Sequence, residues 1–318
     1  MKDVLLSIKN LTVGYSEGQH KNILFENLDV ELVGGELVCF MGSNGIGKST
    51  LIRTLSGLQR PFSQPHGKEM IGVTPEKISV VLTDRITAVN MTVEELVTYG
   101  RYPYLDWNIR LNAHDNELID RAIAQTRIQH LTKKKIYELS DGQLQMTMIA
   151  RALAQDTRII LLDEPTAHLD LNNRVEIMNL LRNLSRKANK AILVATHELD
   201  LALQTADIIW LANRNKKLTT GIPEDLVLNG SFDETFQFKG FDLKTGKVFH
   251  EAWRNKSVAL LGEGYEYLWT KNALERNGYD VTENSGQQIV ITKKEERISW
   301  TFNNQVFHSL LELLLQLE

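Results

Sequence analysis

Apolar and polar positions alternate along residues 5–15, a period of two that predicts a half-buried strand. Residues 36–42 form a short apolar run that ends in Gly42. Residues 3–40 therefore read as β structure. A glycine-rich stretch from Gly42 to Thr50 follows, and residues 51–58 continue with helical spacing. Pro61, Pro65, Gly67, Gly72 and Pro75 punctuate residues 59–75 as loop or hairpin, and residues 78–82 are a buried strand. The period then changes. Thr92 and Glu95 form a capping-box pattern that opens a helix, residues 100–108 break it, and residues 114–126 make a second amphipathic helix. The whole stretch 86–155 is predicted to be helical.

Strand–helix alternation returns beyond it. Residues 158–165 and 190–198 are continuous apolar strands, as in a parallel sheet covered on both faces. Residues 174–187 lie between them as a crossover helix, and residues 206–212 make one more strand. After about residue 225 aromatic residues alternate with turn residues; residues 257–264, 287–294 and 298–302 read as strands, and 265–279 and 307–317 as helices. The pattern predicts an α/β core over residues 1–225, with a helical subdomain at 86–155, and a small C-terminal α+β domain over 226–318. Spacing along helix 265–279 puts Tyr265, Leu268, Trp269 and Leu274 near one face. The leucine-rich last helix cannot be stable alone and must pack on something.

Composition narrows the classes. The 318 residues hold 36 Lys+Arg against 40 Asp+Glu, a net charge of −4, which excludes a protein built to coat nucleic acid or an anionic membrane. The 42% apolar content suffices for a sizeable core. One cysteine, Cys39, rules out an internal disulfide framework, and its apolar run 37–41 makes it a buried strand residue. No stretch reaches the ~18 apolar residues of a membrane span, and charge interrupts the first ten residues before any signal-peptide core forms. The expectation is a soluble, intracellular protein that reaches a membrane only by binding something embedded there.

Three short segments carry chemistry. Gly42, Gly47, Lys48 and Ser49 have phosphate-loop spacing between a strand and a helix. Such glycines let backbone N–H groups cradle phosphate oxygens, Lys48 reaches the β- and γ-phosphates, and the Ser49 hydroxyl coordinates Mg²⁺. Asp163 and Glu164 end an Ile/Leu-rich strand, at the sheet edge where ligands bind in open α/β folds. In that setting Asp163 holds Mg²⁺ and Glu164 polarises or deprotonates the attacking water. Ser140 and Gln143 form a capping box with Asp141 in the first turn, which by local physics is simply a good helix start. His250 and His308 are isolated and read as core or surface residues.

Taken in order, the phosphate loop, the helical insertion, residues 139–143, residues 158–165, residues 167–170 and the pair Thr196 and His197 resemble the ATP-binding-cassette ATPases over about residues 3–222. The resemblance implies that Gly42, Ser43, Asn44, Gly45, Ile46, Gly47, Lys48, Ser49 and Thr50 hold ATP, with Mg²⁺ on Ser49 and Asp163. It implies catalytic roles for Lys48, Glu164 and the switch histidine His197, and stacking of adenine on Tyr15. Ser140, Gly142 and Gln143 would be the signature, which contacts the γ-phosphate bound to the opposite subunit, and Asp170 would lie at the subunit interface. A signature acting on the opposite site makes a second copy, closing head to tail, an obligatory partner. Residues 91–107, with Arg101 and Pro103, are similar to ATPases of importers for iron chelates, haem and cobalamin. That implies transmembrane permease subunits, an indirect solute-binding protein, and a peripheral place on the cytoplasmic face of the cell membrane.

The sequence departs from the family pattern twice. Asp141 stands where the signature usually has glycine. No glutamine occurs between Gln64 and Gln125, although the family places one after the strand at 78–82, where Thr83 or Asp84 falls. The alternative functions explain less. A soluble cassette acting on ribosomes or DNA usually has two cassettes and more basic charge, and a small-molecule kinase leaves residues 139–143 without a purpose.

Overall fold

The structure, a computed structural model, describes residues 3–17, 20–62, 76–83, 90–107, 110–294 and 297–317. The alternating segment forms β1 (Val4–Glu17), which pairs antiparallel with β2 (His20–Val33), Leu6 lying opposite Leu32 and Val13 opposite Phe25. The apolar run is β3 (Leu37–Gly42), buried along its whole length, and it leads through the glycine-rich turn into α1 (Lys48–Leu55). Cys39 is fully buried there, and burial pushes its thiol up to about 12, out of the reactive range.

After β4 (Ile78–Val81) come α2 (Val93–Thr98), α3 (Ala113–Gln125) and α4 (Asp141–Ala154). Each of these three helices opens on a side-chain cap, from Thr92, Asn112 and Ser140 respectively. The stretch is not helical throughout, as the sequence pattern suggested. Arg127 takes a left-handed conformation (φ +57°) that stops α3, and residues 126–140 contain only the 3₁₀ turns Gln129–Leu131 and Ile136–Glu138. Then follow β5 (Ile159–Asp163), α5 (Leu171–Ala188), β6 (Ala191–Ala195), α6 (Leu199–Thr205), β7 (Ile208–Ala212), β8 (Leu218–Gly221), α7 (Pro223–Leu228) and α8 (Ser231–Phe236).

Six strands make one sheet in the order β4-β5-β6-β3-β7-β8, parallel except for β8. β3, β5 and β6 are buried at every position, which explains why they read as unbroken apolar runs. The C-terminal ends of β3, β5 and β6 lie side by side, so Gly42, Asp163 and Ala195 deliver their following loops to one edge.

The chain divides into two compact units, residues 1–237 and 238–318. The second contains the short pair β9 (Phe241–Asp242) and β10 (Lys247–Val248), then β11 (Lys256–Leu261), α9 (Gly264–Arg276), β12 (Tyr279–Val281), β13 (Gln288–Lys294), β14 (Arg297–Phe302), β15 (Gln305–Phe307) and α10 (Leu310–Leu317). Its sheet runs β12-β11-β13-β14-β15, parallel on the first three strands and antiparallel on the rest. Val258, Leu274, Tyr279, Ile289, Trp300 and Leu313 are central to its core. The last helix starts at Leu310 rather than at Phe307, because Gln305–Phe307 pairs with β14 as an edge strand. α9 buries Thr270, Ala273 and Leu274, with the Trp300 indole N–H donating to Thr270 Oγ1 at 2.8 Å. Of the four residues expected to share its inner face, only Leu274 is buried; Tyr265 and Trp269 are 80% and 66% exposed. Among the described residues no helix is long and apolar enough to cross a membrane.

A buried ion pair ties the helical insertion together. Arg101, 5% exposed, donates through Nε to Asp115 Oδ1 at 2.9 Å and through Nη1 to the carbonyl of Ala154 at 3.0 Å, while its guanidinium lies 4.1 Å from the Tyr104 ring centroid. The Asn112 N–H, and then Arg101, hold the Asp115 carboxyl below the ordinary aspartate value. Stability from Asp115 is therefore fully present above the ordinary aspartate range and is lost as pH falls through its lowered value. Arg101→Met is expected to destabilise the first unit by about 3–5 kcal/mol, because it leaves Asp115 buried and unpaired. Urea unfolding at pH 7 measures this, and the penalty should shrink as acid protonates Asp115.

Candidate functional site

Local backbone geometry shapes the loop after β3. Gly47 has φ +110°, and a Cβ there would lie 2.8 Å from Leu24 Cδ1. Gly45 has φ +77° and faces open space. At Gly42 a Cβ would meet the Ala212 carbonyl oxygen at 2.8 Å, so the loop leaves the sheet with no room for a side chain. α1 then begins at Lys48, and its first-turn amides have no carbonyl one turn ahead to accept from them. The Lys48 ammonium is buried and folds back on the loop, donating to the carbonyls of Gly42 at 3.1 Å and Ser43 at 3.5 Å. Burial pulls its pKa down, and the nearby Glu164 and Asp163 carboxylates work against that.

Asp163 ends β5 and is 3% exposed. Its Oδ2 accepts from the Thr83 hydroxyl at 3.1 Å. Its Oδ1 is, among the described residues, the one buried side-chain oxygen or nitrogen without a hydrogen-bond partner. Burial raises the Asp163 carboxyl, the Ser49 and Thr83 hydroxyls oppose the rise, and Glu164 adds to it. Glu164 itself sits at φ +49°, a left-handed conformation that a non-glycine residue adopts at a cost, fixed here by its N–H donating to the Ala195 carbonyl at 2.8 Å. That bond links the Asp163–Glu164 corner to the end of β6, two residues before His197. His197 Nδ1 lies 3.6 Å from Glu164 Oε1, and its Nε2 lies 3.5 Å from Glu198 Oε1.

These groups converge. Tyr15, Asn44, Gly45, Gly47, Lys48, Ser49, Thr50, Glu164 and His197 all border one cleft of about 410 Å³. Tyr15, 39% exposed, is placed by β1–β2 pairing opposite Asn22, whose Nδ2 donates to the Tyr15 hydroxyl at 2.7 Å. Gly42, Ser43 and Ile46 belong to the loop without bordering that cleft, and Asp163 does not border it either. The cleft can hold a polyphosphate along the loop and an aromatic base on Tyr15.

Ser140, Gly142, Gln143 and Asp170 stand apart from that cleft. The Ser140 hydroxyl accepts from the Gln143 N–H at 3.3 Å, and Gln143 Oε1 accepts from the Ser140 N–H at 3.2 Å, so within one chain the capping box is formed. Asp170 caps α5 and accepts from the N–H and the side-chain amide of Asn173 at 2.9 and 2.7 Å. A Cβ on Gly142 would lie 3.0 Å from that same amide, so Asn173 links the two segments. Arg174 continues the chain of contacts, with Nε donating to the Leu169 carbonyl at 2.6 Å and Nη1 to Glu198 Oε2 at 2.7 Å. Asn173 and Arg174 are not among the residues that the sequence pattern singles out. The spacing of Asp170 and Asn173 as a helix cap was the one signal for them. Of the two residues standing in place of the glutamine, Thr83 bonds Asp163, and Asp84 lies outside the described residues.

A phosphate loop beside a carboxylate-bearing strand of a parallel sheet defines a nucleotide-hydrolysing class of protein. The comparisons narrow that class. A family model described as ABC transporter matches residues 25–167, and one described as iron ABC transporter C-terminal domain matches residues 255–318. An uncharacterized ABC transporter ATP-binding protein of Methanocaldococcus jannaschii is 33% identical over 293 residues, 87% of this chain and 98% of that protein. The ferric enterobactin transport ATP-binding protein of Escherichia coli strain K12 is 34% identical over 229 residues, 69% of this chain and 82% of that protein. A bacterial ABC transporter cassette solved as a dimer is 26% identical, covers 64% of this chain and 93% of that one, and superposes with a TM-score of 0.55. The chain belongs to the ATP-binding subunits of ABC transporters, whose ATP hydrolysis is coupled to transport.

Gly47→Ala should weaken nucleotide binding at least about tenfold and destabilise the first unit by about 1–2 kcal/mol, the cost of a left-handed L-residue. Titration with a fluorescent ATP analogue and urea unfolding give the two values separately.

Proposed function

We propose that this chain is the ATP-hydrolysing subunit of an importer of iron chelates. It works on the inner face of the membrane with permease subunits, and through them with a solute-binding protein. The family match at residues 255–318 is the observation that carries the iron reading, and the ferric enterobactin relative supports it.

In this reading ATP lies with its base on Tyr15 and its phosphates along residues 43–50. Lys48 exchanges the Gly42 carbonyl for the β- and γ-phosphate oxygens. The unpaired Asp163 Oδ1 and the Ser49 hydroxyl suit Mg²⁺, which prefers one carboxylate together with substrate phosphates and water. When bound, the ion neutralises charge on the phosphates. Glu164 accepts a proton from the attacking water at a carboxylate oxygen. The water oxygen bonds to the γ-phosphorus as the bond to the β–γ bridging oxygen breaks. His197, within 3.6 Å of Glu164, keeps that carboxylate oriented and contacts the γ-phosphate. Ser140, Gly142, Gln143 and Asp170, apart from their own chain's cleft, serve the site of a second copy that closes head to tail.

Glu164→Gln is expected to lower permease-stimulated ATP turnover by at least about 100-fold while ATP binding is retained. Equal turnover in the variant would remove Glu164 from the reaction. The iron reading is tested separately, by ferric siderophore uptake in cells lacking this chain and in the same cells complemented with it. Thr83 in this reading positions Asp163 in place of the family glutamine. Thr83→Val should raise the Mg²⁺ concentration needed for half-maximal ATP-analogue binding about tenfold, the loss of one hydrogen bond to a charged group, and Thr83→Ser should restore it.

A further inference from the structure

The second unit contains a cleft of about 610 Å³, within the range of small-molecule sites, that the ATPase chemistry does not use. α9 and α10 supply its apolar side, with Trp269, Leu311 and Leu314 bordering it. The outward turn of α9 accounts for this: the Trp269 indole, absent from the core, borders the cleft instead, and Leu311 is 67% exposed on the facing helix. The polar border is formed by Lys247 on β10, His250 just after it, and Asn272 and Arg276 on α9.

The charge there is one-sided. Among the described residues no aspartate or glutamate borders the cleft, and Asp242, opposite Lys247 in the β9–β10 pair, accepts instead from the Lys244 N–H and the Thr245 hydroxyl. The nearest acids on the two helices are engaged elsewhere: Glu275 lies 3.7 Å from Lys271 Nζ, and Glu312 Oε2 accepts from the His308 N–H at 3.3 Å. Among the described residues neither the Lys247 ammonium nor the Arg276 guanidinium has an ion-pair or hydrogen-bond partner. Over residues 238–318 the sequence carries ten Lys+Arg and eleven Asp+Glu, so the positive charge of the cleft is local rather than a property of the unit.

We infer that this cleft binds a small organic anion with a flat aromatic body, its rings against Trp269 and the leucines and its carboxylate on Lys247 and Arg276. An indole face and aliphatic side chains favour a planar apolar body. A guanidinium presents paired donors to a carboxylate, and an ammonium adds a second charge-assisted bond. The inference does not depend on the iron reading, since the cleft borders no residue of the nucleotide site.

Calorimetric titration of the full chain tests it, with 2-naphthoate as the probe and 2-naphthylmethylammonium as its cationic counterpart of similar size. The naphthoate should bind with saturation, at least about tenfold more tightly than the cation. Lys247→Glu combined with Arg276→Glu should reverse that preference, and Trp269→Ala should weaken naphthoate binding about tenfold. ATP turnover and the thermal unfolding midpoint should stay at their original values in these variants. Equal affinity for both probes, or no saturable binding, overturns the inference, and neither result depends on a variant folding. Self-association of the chain that is abolished by Trp269→Ala would also overturn it, by assigning the cleft to a second copy.

Discussion

Asp163 lies buried at the end of β5 with one carboxylate oxygen bonded by Thr83 and the other without a partner. A buried charge in that condition is costly, and the surrounding structure is arranged to keep it. β3 and β5 lie on either side of β6, and the loop that carries Lys48 and Ser49 comes near enough across that strand for the Ser49 hydroxyl to act on the Asp163 carboxyl. The left-handed turn at Glu164, tied to the Ala195 carbonyl, holds the second carboxylate toward the cleft and brings His197 within reach of it. Fully buried central strands make this arrangement stiff. The low dielectric that makes the unpaired oxygen expensive also strengthens its attraction for a cation.

The core and the nucleotide cleft were largely legible in the sequence because both rest on local signals. Buried parallel strands are written as unbroken apolar runs, and the phosphate loop needs glycines at fixed offsets. The caps at Thr92 and Ser140 are three-residue patterns, and all of these formed where the spacing placed them. What was not legible depends on long-range partners. Asn173 and Arg174 have ordinary helix-start identities; their meaning comes from Gly142, Leu169 and Glu198, which only folding brings near. The inner face of α9 was not legible because its large apolar residues do not gather on one side. Thr270, a polar residue, takes a core position when Trp300 donates to it, and the large aromatic residues turn outward. The stop at Arg127 is likewise a backbone choice that helical spacing does not reveal.

The two departures from the family pattern now carry different weight. Asp141 lies in the first turn of α4, where a carboxylate complements the partial positive charge of the helix start. The missing glutamine is more consequential, because Thr83 occupies the gap with a much shorter side chain that reaches the Asp163 carboxylate directly.

One contact in the helical insertion has mechanical meaning. At Gly100 a Cβ would lie 2.2 Å from the Arg151 carbonyl oxygen, and the neighbouring Arg101 grips the carbonyls of Ala154 and Gln155. The turn at 99–104 is therefore clamped to the last turn of α4, while Ser140 sits at the first turn, about 20 Å away along a straight helix. With no room for even a methyl group between Gly100 and the Arg151 carbonyl, the turn and that end of the helix form one rigid piece. Any displacement of the turn would therefore have to be carried by α4 as a whole, to the end that Ser140 caps.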